Sequence, residues 1–324
     1  MPVDIPQEKW TGGVRTVTIG ATADEGGSRT KTITVGGETA MPFLAFEGQI
    51  PNRPIVALEV RDRFPDDWSP LLHEAWGDAC KDPAAWAKAA EEAGADMLLL
   101  RLSLTDAEGD QITPEAAVKA VKAVLENSGL PLAVFGPGQA SVDNEVLVAV
   151  AEAAKGERLL LGVCEEGNYR TLVATALAND HLVNSRTPMD VNLAKQLVIL
   201  INDMGMPLDR IIMDPTTGAL GYGMEYGYSV MERLRLAALQ GDTMTQSPML
   251  VTPGEETWKA KESKVGEGVP EAWGDWEARA INWETLTAIA LIESGADIVV
   301  LRHPESVKRV QAAVADLMAA ASAN

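Results

Sequence analysis

Two phrases decide the architecture: EEAGADMLLL at residues 91–100 and IESGADIVVL at residues 292–301. Each closes a helix with glycine, passes through Ala-Asp and enters an apolar run without alternation. Glycine stops a helix because it takes left-handed backbone without a Cβ clash. A short, continuously apolar run marks a strand buried on both faces, as in a parallel sheet. The same helix-to-strand junction therefore stands near both ends of the chain.

Between and around these junctions the pattern repeats. Candidate strands are Ile55–Val60, Met97–Leu102, Leu132–Gly136, Leu159–Val163, His181–Ser185, Ile211–Asp214, Met249–Thr252 and Ile298–Leu301. Helical segments alternate with them: Asp82–Ala93, Thr113–Asn127, Val142–Ala154, Asn168–Leu177, Asp190–Met204, Glu225–Leu239, Glu277–Ser294 and Pro304–Ala320. Eight strand-helix units predict an α/β protein of the (β/α)₈ TIM barrel class over residues 55–324. A doubly wound open sheet would need a reversal point and usually a Gly-rich first turn, and the first unit has no such turn. Ahead of the barrel, residues 1–54 hold two alternating β-branched segments, Val14–Gly20 and Lys31–Gly36, separated by Asp24–Ser28 (DEGGS). They predict an N-terminal β-hairpin extension with a long loop, followed by a Pro-punctuated connection.

Composition narrows the function classes. Of 324 residues, 46% are hydrophobic and 23% charged, with a formal net charge of −20. That balance disfavours nucleic acid and anionic lipid, which recruit clustered Lys and Arg. No apolar stretch reaches membrane-span length and the N-terminus carries no signal-peptide pattern, so the expected localisation is cytoplasmic. The only two cysteines, Cys80 and Cys164, are too few for an iron-sulfur cluster, which takes four thiolates. His73, His181 and His303 are too scattered to read as a metal site.

In a barrel the site lies at the C-terminal strand ends. Those ends read Glu59 and Arg61, Arg101 and Ser103, Gly136-Pro137-Gly138, Cys164-Glu165-Glu166, Asn184 to Arg186, Asp214 to Thr216, Thr252, and Arg302-His303. The set is polar, with no nucleophile-base couple and no pair of metal ligands. The most distinctive stretch is IIMDPTTGALGYGMEYGY at residues 211–228. Its glycines either let backbone approach a ligand or simply close a βα loop. Cys164 beside two carboxylates reads as buried and inert, and His303 as capping or packing. Pro253–Trp276, with Trp258, Trp273 and Trp276, is long enough for a lid or docking element, or else packs its rings on the barrel.

Several long phrases resemble one known family: VTIGATADEGGSRTKTITVGGETAMPFLAFEG with IPNRPIVALEV, SRTPMDVNLAKQLVILINDMGMPLDRIIMDPTTGALGYGMEYGYSVMERLRLAALQGD, and ADIVVLRHPESV. The chain is similar along nearly its whole length to the small subunit of the corrinoid iron-sulfur protein, called delta in acetyl-CoA decarbonylase/synthase complexes. The resemblance implies a heterodimer with a large subunit that carries the [4Fe-4S] cluster and most cobamide-binding residues. It implies methyl transfer from methyltetrahydrofolate, through a methyltransferase, to acetyl-CoA synthase in the reductive acetyl-CoA (Wood-Ljungdahl) pathway of anaerobes. The barrel face would help enclose the cobamide, a vitamin B12-type corrinoid. Candidate contacts are Asn184, Arg186, Asp214, Thr216, Gly218, Gly221, Tyr222, Thr252 and Arg302, with Asp214 equally suited to holding its own loop. No residue is assigned as acid, base, nucleophile or metal ligand, so the expected role is that of a non-catalytic subunit. The alternative is a stand-alone pterin-binding methyltransferase of dihydropteroate-synthase-like fold.

Overall fold

The computed structural model describes residues 6–105 and 108–322. The expected outer bounds at residues 1 and 324 lie outside the described residues. An antiparallel hairpin comes first, β1 (Val17–Ile19) against β2 (Ile33–Val35), with Val17 opposite Val35 and Ile19 opposite Ile33. Eight parallel strands follow: β3 (Ile55–Arg61), β4 (Met97–Arg101), β5 (Leu132–Phe135), β6 (Leu160–Cys164), β7 (Leu182–Arg186), β8 (Ile211–Asp214), β9 (Leu250–Val251) and β10 (Ile298–Leu301). The hydrogen-bonded order runs β8-β7-β6-β5-β4-β3-β10-β9. A bridge between Met213 and Met249 joins β8 to β9, the Met213 N–H donating to the Pro248 carbonyl at 2.9 Å. The ring closes there, and the architecture is the expected (β/α)₈ barrel.

The helices packed outside are α1 (Pro70–Trp76), α2 (Pro83–Glu92), α3 (Pro114–Asn127), α4 (Ala140–Ala153), α5 (Tyr169–Asn179) and α6 (Val191–Asp203). Then come α7 (Met224–Leu239), the short α8 (Pro253–Thr257) and α9 (Lys261–Lys264), α10 (Trp276–Glu293) and α11 (Pro304–Ser322). Starts follow local chemistry: the Asp82, Thr113, Asp190 and Asp275 side chains each accept a first-turn N–H. No described helix is long and apolar enough to cross a membrane.

The two opening phrases perform one job twice. Gly94 and Gly295 end their helices at φ 94° and 111°. The following aspartates then tie the foot of each strand to its neighbour. Asp96 accepts the Val56 N–H at 3.0 Å and pairs with Arg53, while Asp297 accepts the Met249 N–H at 2.7 Å and pairs with Arg235.

Side-chain alternation splits the core in two. Val56, Leu58, Leu98, Leu100, Val183 and Val299 face the helices. Ala57, Met97, Leu99, Leu182, Ile212 and Val300 fill the barrel together with Val17, Ile19, Ile33 and Val35 of the hairpin. The hairpin thus plugs the N-terminal mouth. Arg29 in its loop is buried and secured there, donating to the carbonyls of Leu125, Ser128 and Leu130 and pairing with Glu157 at 3.0 Å.

Two predictions follow from the plug. Ile19 is fully buried, so Ile19→Ala is expected to cost about 2–4 kcal/mol in a urea unfolding curve, the range for deleting a core Ile side chain. Glu38, just after the hairpin, packs on Arg235 at 3.3 Å. Burial and neighbouring Asp297 push its carboxyl up to about 8, and Arg235 offsets only part of that. A carboxyl raised on folding binds a proton that the unfolded chain has released. Its contribution is complete below the unfolded value of about 4.5 and is lost as pH rises through about 8. Stability should therefore fall between about pH 5 and pH 9, and Glu38→Gln should flatten that fall in melting curves across the range.

Candidate functional site

Each barrel strand points alternate side chains inward, so the layer above the apolar filling is readable strand by strand. On β3 the inward series is Ile55, Ala57, Glu59; on β4 it is Met97, Leu99, Arg101; after β10 it ends at Arg302. On the far side it ends at Asn184 and Arg186 of β7, Asp214 of β8 and Thr252 after β9. The C-terminal mouth is therefore lined with charge.

Glu59 is fully buried beneath three guanidiniums. Arg302 reaches it with two bonds of 3.0 and 3.1 Å, Arg61 lies at 2.9 Å and Arg101 at 3.3 Å. Burial pushes the Glu59 carboxyl up, but Arg302, Arg101 and Arg61 together outweigh it and hold it well below the ordinary carboxylate range. Arg101 also pairs with Glu255 of α8 at 2.8 Å, which pins the segment after β9 across one side of the mouth.

The Pro253–Trp276 segment is anchored to the barrel through its tryptophans, Trp258 buried and Trp273 and Trp276 half-buried, while its tip is exposed. Trp258 is buried and stacks on His303 with ring centroids 6.0 Å apart. Trp276 donates to the Ser263 carbonyl at 2.8 Å. Arg279 of α10 donates to the carbonyls of Glu262, Val265, Trp273 and Gly274, so one side chain gathers the whole loop. His303 caps as expected, its Nδ1 accepting the Glu305 N–H at 3.1 Å, and burial lowers it to about 4. Cys164 is fully buried and its thiol is pushed up by burial, which keeps it protonated and inert.

Opposite that cluster a cavity of about 630 Å³ opens between the ends of β6, β7 and β8 and helix α6. Glu165, Arg186, Thr187 and Thr216 form its polar end, and Leu193, Leu197 and Leu200 its apolar wall. Arg186 pairs with Asp214 at 3.6 Å, and Asp214 raises its pKa. Burial pushes the Asp214 carboxyl up, while Arg186 and the Thr216 amide pull it back. The Thr216 backbone N–H donates to Asp214 Oδ1 at 2.9 Å, so Asp214 does hold its own loop. Thr216 sits at φ 65°, a left-handed conformation costly for a β-branched residue, and its hydroxyl anchors it to the Thr187 carbonyl at 2.5 Å.

Of the nine candidate contacts, the structure brings Arg186 and Thr216 to this cavity and sets Asp214 behind them. Asn184 lies fully buried in the inward layer, with neither amide atom hydrogen-bonded. The others part company with it. Thr252 is fully buried, its N–H donating to the Thr217 hydroxyl at 2.7 Å. Arg302 belongs to the Glu59 cluster on the other side. Tyr222 stands on the rim, 51% exposed, its hydroxyl bonded to Glu262 at 3.0 Å. Gly221 is in the left-handed region in open space. Gly218 is needed for the loop itself, since a Cβ there would sit 2.5 Å from the Gly223 backbone.

The sequence reading passed over the α6 wall and Glu255. Leucines at 193, 197 and 200 look like an ordinary buried stripe, yet Leu193 is 44% exposed. Glu255 became visible only once α8 folded over the mouth. Among the described residues no group of three His, Cys, Asp or Glu is arranged to hold a metal ion.

Removing the central carboxylate tests the cluster. Among the described residues, Glu59→Gln leaves three guanidiniums of which only Arg101 keeps an ion pair, to Glu255. The expected loss is about 3–5 kcal/mol of unfolding free energy at neutral pH, the usual cost of stripping one partner from a buried ionic network.

The family model described as CO dehydrogenase/acetyl-CoA synthase delta subunit matches residues 16–312. The delta subunit of the acetyl-CoA decarbonylase/synthase complex of Methanosarcina mazei is 39% identical over 305 residues, covering 92% of this chain and 69% of that protein. Its counterpart from Archaeoglobus fulgidus is 36% identical over 313 residues, covering 93% and 68%. Among solved structures, dihydropteroate synthase of Xanthomonas albilineans with 4-aminobenzoic acid superposes with a TM-score of 0.56 at 15% identity, covering 86% of this chain and 97% of that one. The enzyme of Coxiella burnetii with pteroic acid gives 0.55 at 14% identity, over 86% and 100%. At such identity the superpositions speak for the barrel alone, whereas the family match and the delta-subunit relatives agree on kinship: the chain belongs to the CO dehydrogenase/acetyl-CoA synthase delta subunit family.

Proposed function

We propose that this chain is the barrel subunit of a heterodimeric corrinoid methyl carrier in the acetyl-CoA pathway, pairing with a large subunit that holds the [4Fe-4S] cluster. The carrier would take methyl from methyltetrahydrofolate through a separate methyltransferase and hand it to acetyl-CoA synthase. The observation that carries this reading is the amphipathic cavity at the β6–β8 strand ends of a chain in this family.

The residues there suit the edge of a corrinoid. Such a ring has an apolar face and a periphery of amide side chains. Leu193, Leu197 and Leu200 offer the first an apolar wall. The Thr187 hydroxyl, buried without a hydrogen-bond partner, and the Arg186 guanidinium offer the second donors and an acceptor. The cavity is too small to swallow a corrinoid, so the large subunit would hold the rest. The cobalt would supply the methyl-carrying centre. This chain's residues would orient the cofactor edge and keep water from it, with Arg186 steadied by Asp214.

A stand-alone pterin-dependent methyltransferase finds less support. The middle of the mouth, where a planar substrate would enter, is crossed by Glu59, its three arginines and Glu255.

The test is anaerobic co-expression with the large subunit, then size-exclusion chromatography with spectra across the peak. A one-to-one complex carrying corrinoid and iron-sulfur absorbance, with neither in this chain alone, is expected. Arg186→Ala should leave the complex intact and weaken corrinoid retention about tenfold, the scale of one lost charge-assisted contact. A lone chain that binds methyltetrahydrofolate and methylates free cobalamin would overturn the reading.

A further inference from the structure

A second cavity, of about 390 Å³, opens on the other flank of the Glu59 cluster, between the end of β3, the Trp68–Pro70 turn and α8. Its lining includes four cations, Arg61, Lys259, Lys264 and Arg302, and two carboxylates, Asp67 and Glu255. The carboxylates around it are already shared. Glu59 is divided among Arg61, Arg101 and Arg302, and Glu255 between Arg101 and Lys259, which also takes Glu256. Arg61, Arg101, Arg302, Lys259 and Lys264 thus share Glu59, Glu255, Glu256 and Asp67, and Asp62 also acts on Arg61.

Arg61 is the group left short. It meets Glu59 through Nε at 2.9 Å, outside hydrogen-bond geometry, and its side chain is only 15% exposed. Burial draws its pKa down; Glu59 offsets part of this, and Arg302 and Arg101 add repulsion. Lys264 stands exposed at the rim and makes no ion pair among the described residues. Arg302 lies over the Trp68 ring, 4.6 Å from its centroid, so the floor is a guanidinium backed by an indole. Low-dielectric backing of this kind strengthens attraction for an incoming anion.

We propose that this cavity binds the oxyanion end of a small molecule, a phosphate or carboxylate group seated on Arg61 and closed over by Lys264 and Lys259. The free guanidinium edge matches the two oxygens of such a group, and Lys264, without an ion pair of its own among the described residues, would supply the second positive charge. The site is separate from the cavity assigned to the corrinoid, and it depends on this chain's charges alone. Its failure would leave the methyl-carrier reading untouched.

Calorimetric titration of the intact chain at low ionic strength, with inorganic phosphate and with citrate, tests it against a sodium chloride control. Saturable binding is expected, at least tenfold weaker in Arg61→Gln and in Lys264→Ala, and unchanged in Lys155→Ala, an exposed residue in the turn after α4. Lys264 is exposed, so Lys264→Ala should melt like the parent, and weakened binding there reports the site rather than the fold. Binding of phosphate alone assigns a phosphate group, and binding of citrate alone assigns a carboxylate. Absence of saturable heat with both, or equal weakening in Lys155→Ala, overturns the proposal.

Discussion

The carboxylate of Glu59 sits without solvent exposure where the barrel's apolar filling ends, and three arginines converge on it, Arg61 from its own strand, Arg101 from β4 and Arg302 from just past β10. A buried charge is tolerated only when paired and hydrogen-bonded, because water no longer screens or solvates it. Here the pairing ties together the ends of β3, β4 and β10. Through Arg101 it extends to Glu255 and so to α8 above the mouth. The geometry of one side of the mouth is therefore an electrostatic consequence of a single side chain on β3.

The opposite end of the barrel solves the reverse problem. Its interior is apolar and would face water, and the hairpin covers it with Val17, Ile19, Ile33 and Val35. Arg29, Asp96 and Asp297 then satisfy backbone groups around that end, as buried polar groups require. One end is thus closed by apolar packing and the other is crossed by ion pairs. On the β6–β8 flank of the mouth, Asn184 and the Thr187 hydroxyl are buried without hydrogen-bond partners. Such groups are costly to leave unmet, which directs attention to that flank as the place where something else completes the structure.

Much of the fold was legible because it rests on local rules. Runs such as Met97–Leu102 and Ile298–Leu301 are buried on both faces, so their continuous apolar character betrays parallel strands. Boundaries slipped where tertiary partners intervene: the expected strand Met249–Thr252 shrinks to Leu250–Val251 because Thr252 turns away to bond Thr217. Helices α8 and α9 were hidden in a Pro- and Gly-containing segment too short for periodicity to show. Its tryptophans were open to a lid, a docking element or packing on the barrel, and only the folded chain shows Arg279 bonding the loop's carbonyls.

The candidate site was legible only in outline. Strand-end positions named Arg186, Thr216 and Asp214 correctly as neighbours, because parity and position along parallel strands are properties of the chain. Parity also offered Arg302, but whether that guanidinium is free or consumed depends on Glu59, 243 residues away in sequence. By itself the sequence determined the repeating strand-helix unit, the N-terminal hairpin, the polar strand ends and the family. The closed ring decided the rest: which charges neutralise one another, which hydroxyls go unmet and where cavities open. Those are set by distances of a few ångströms between residues far apart in the chain, and Coulombic and hydrogen-bond energies vary over that same scale.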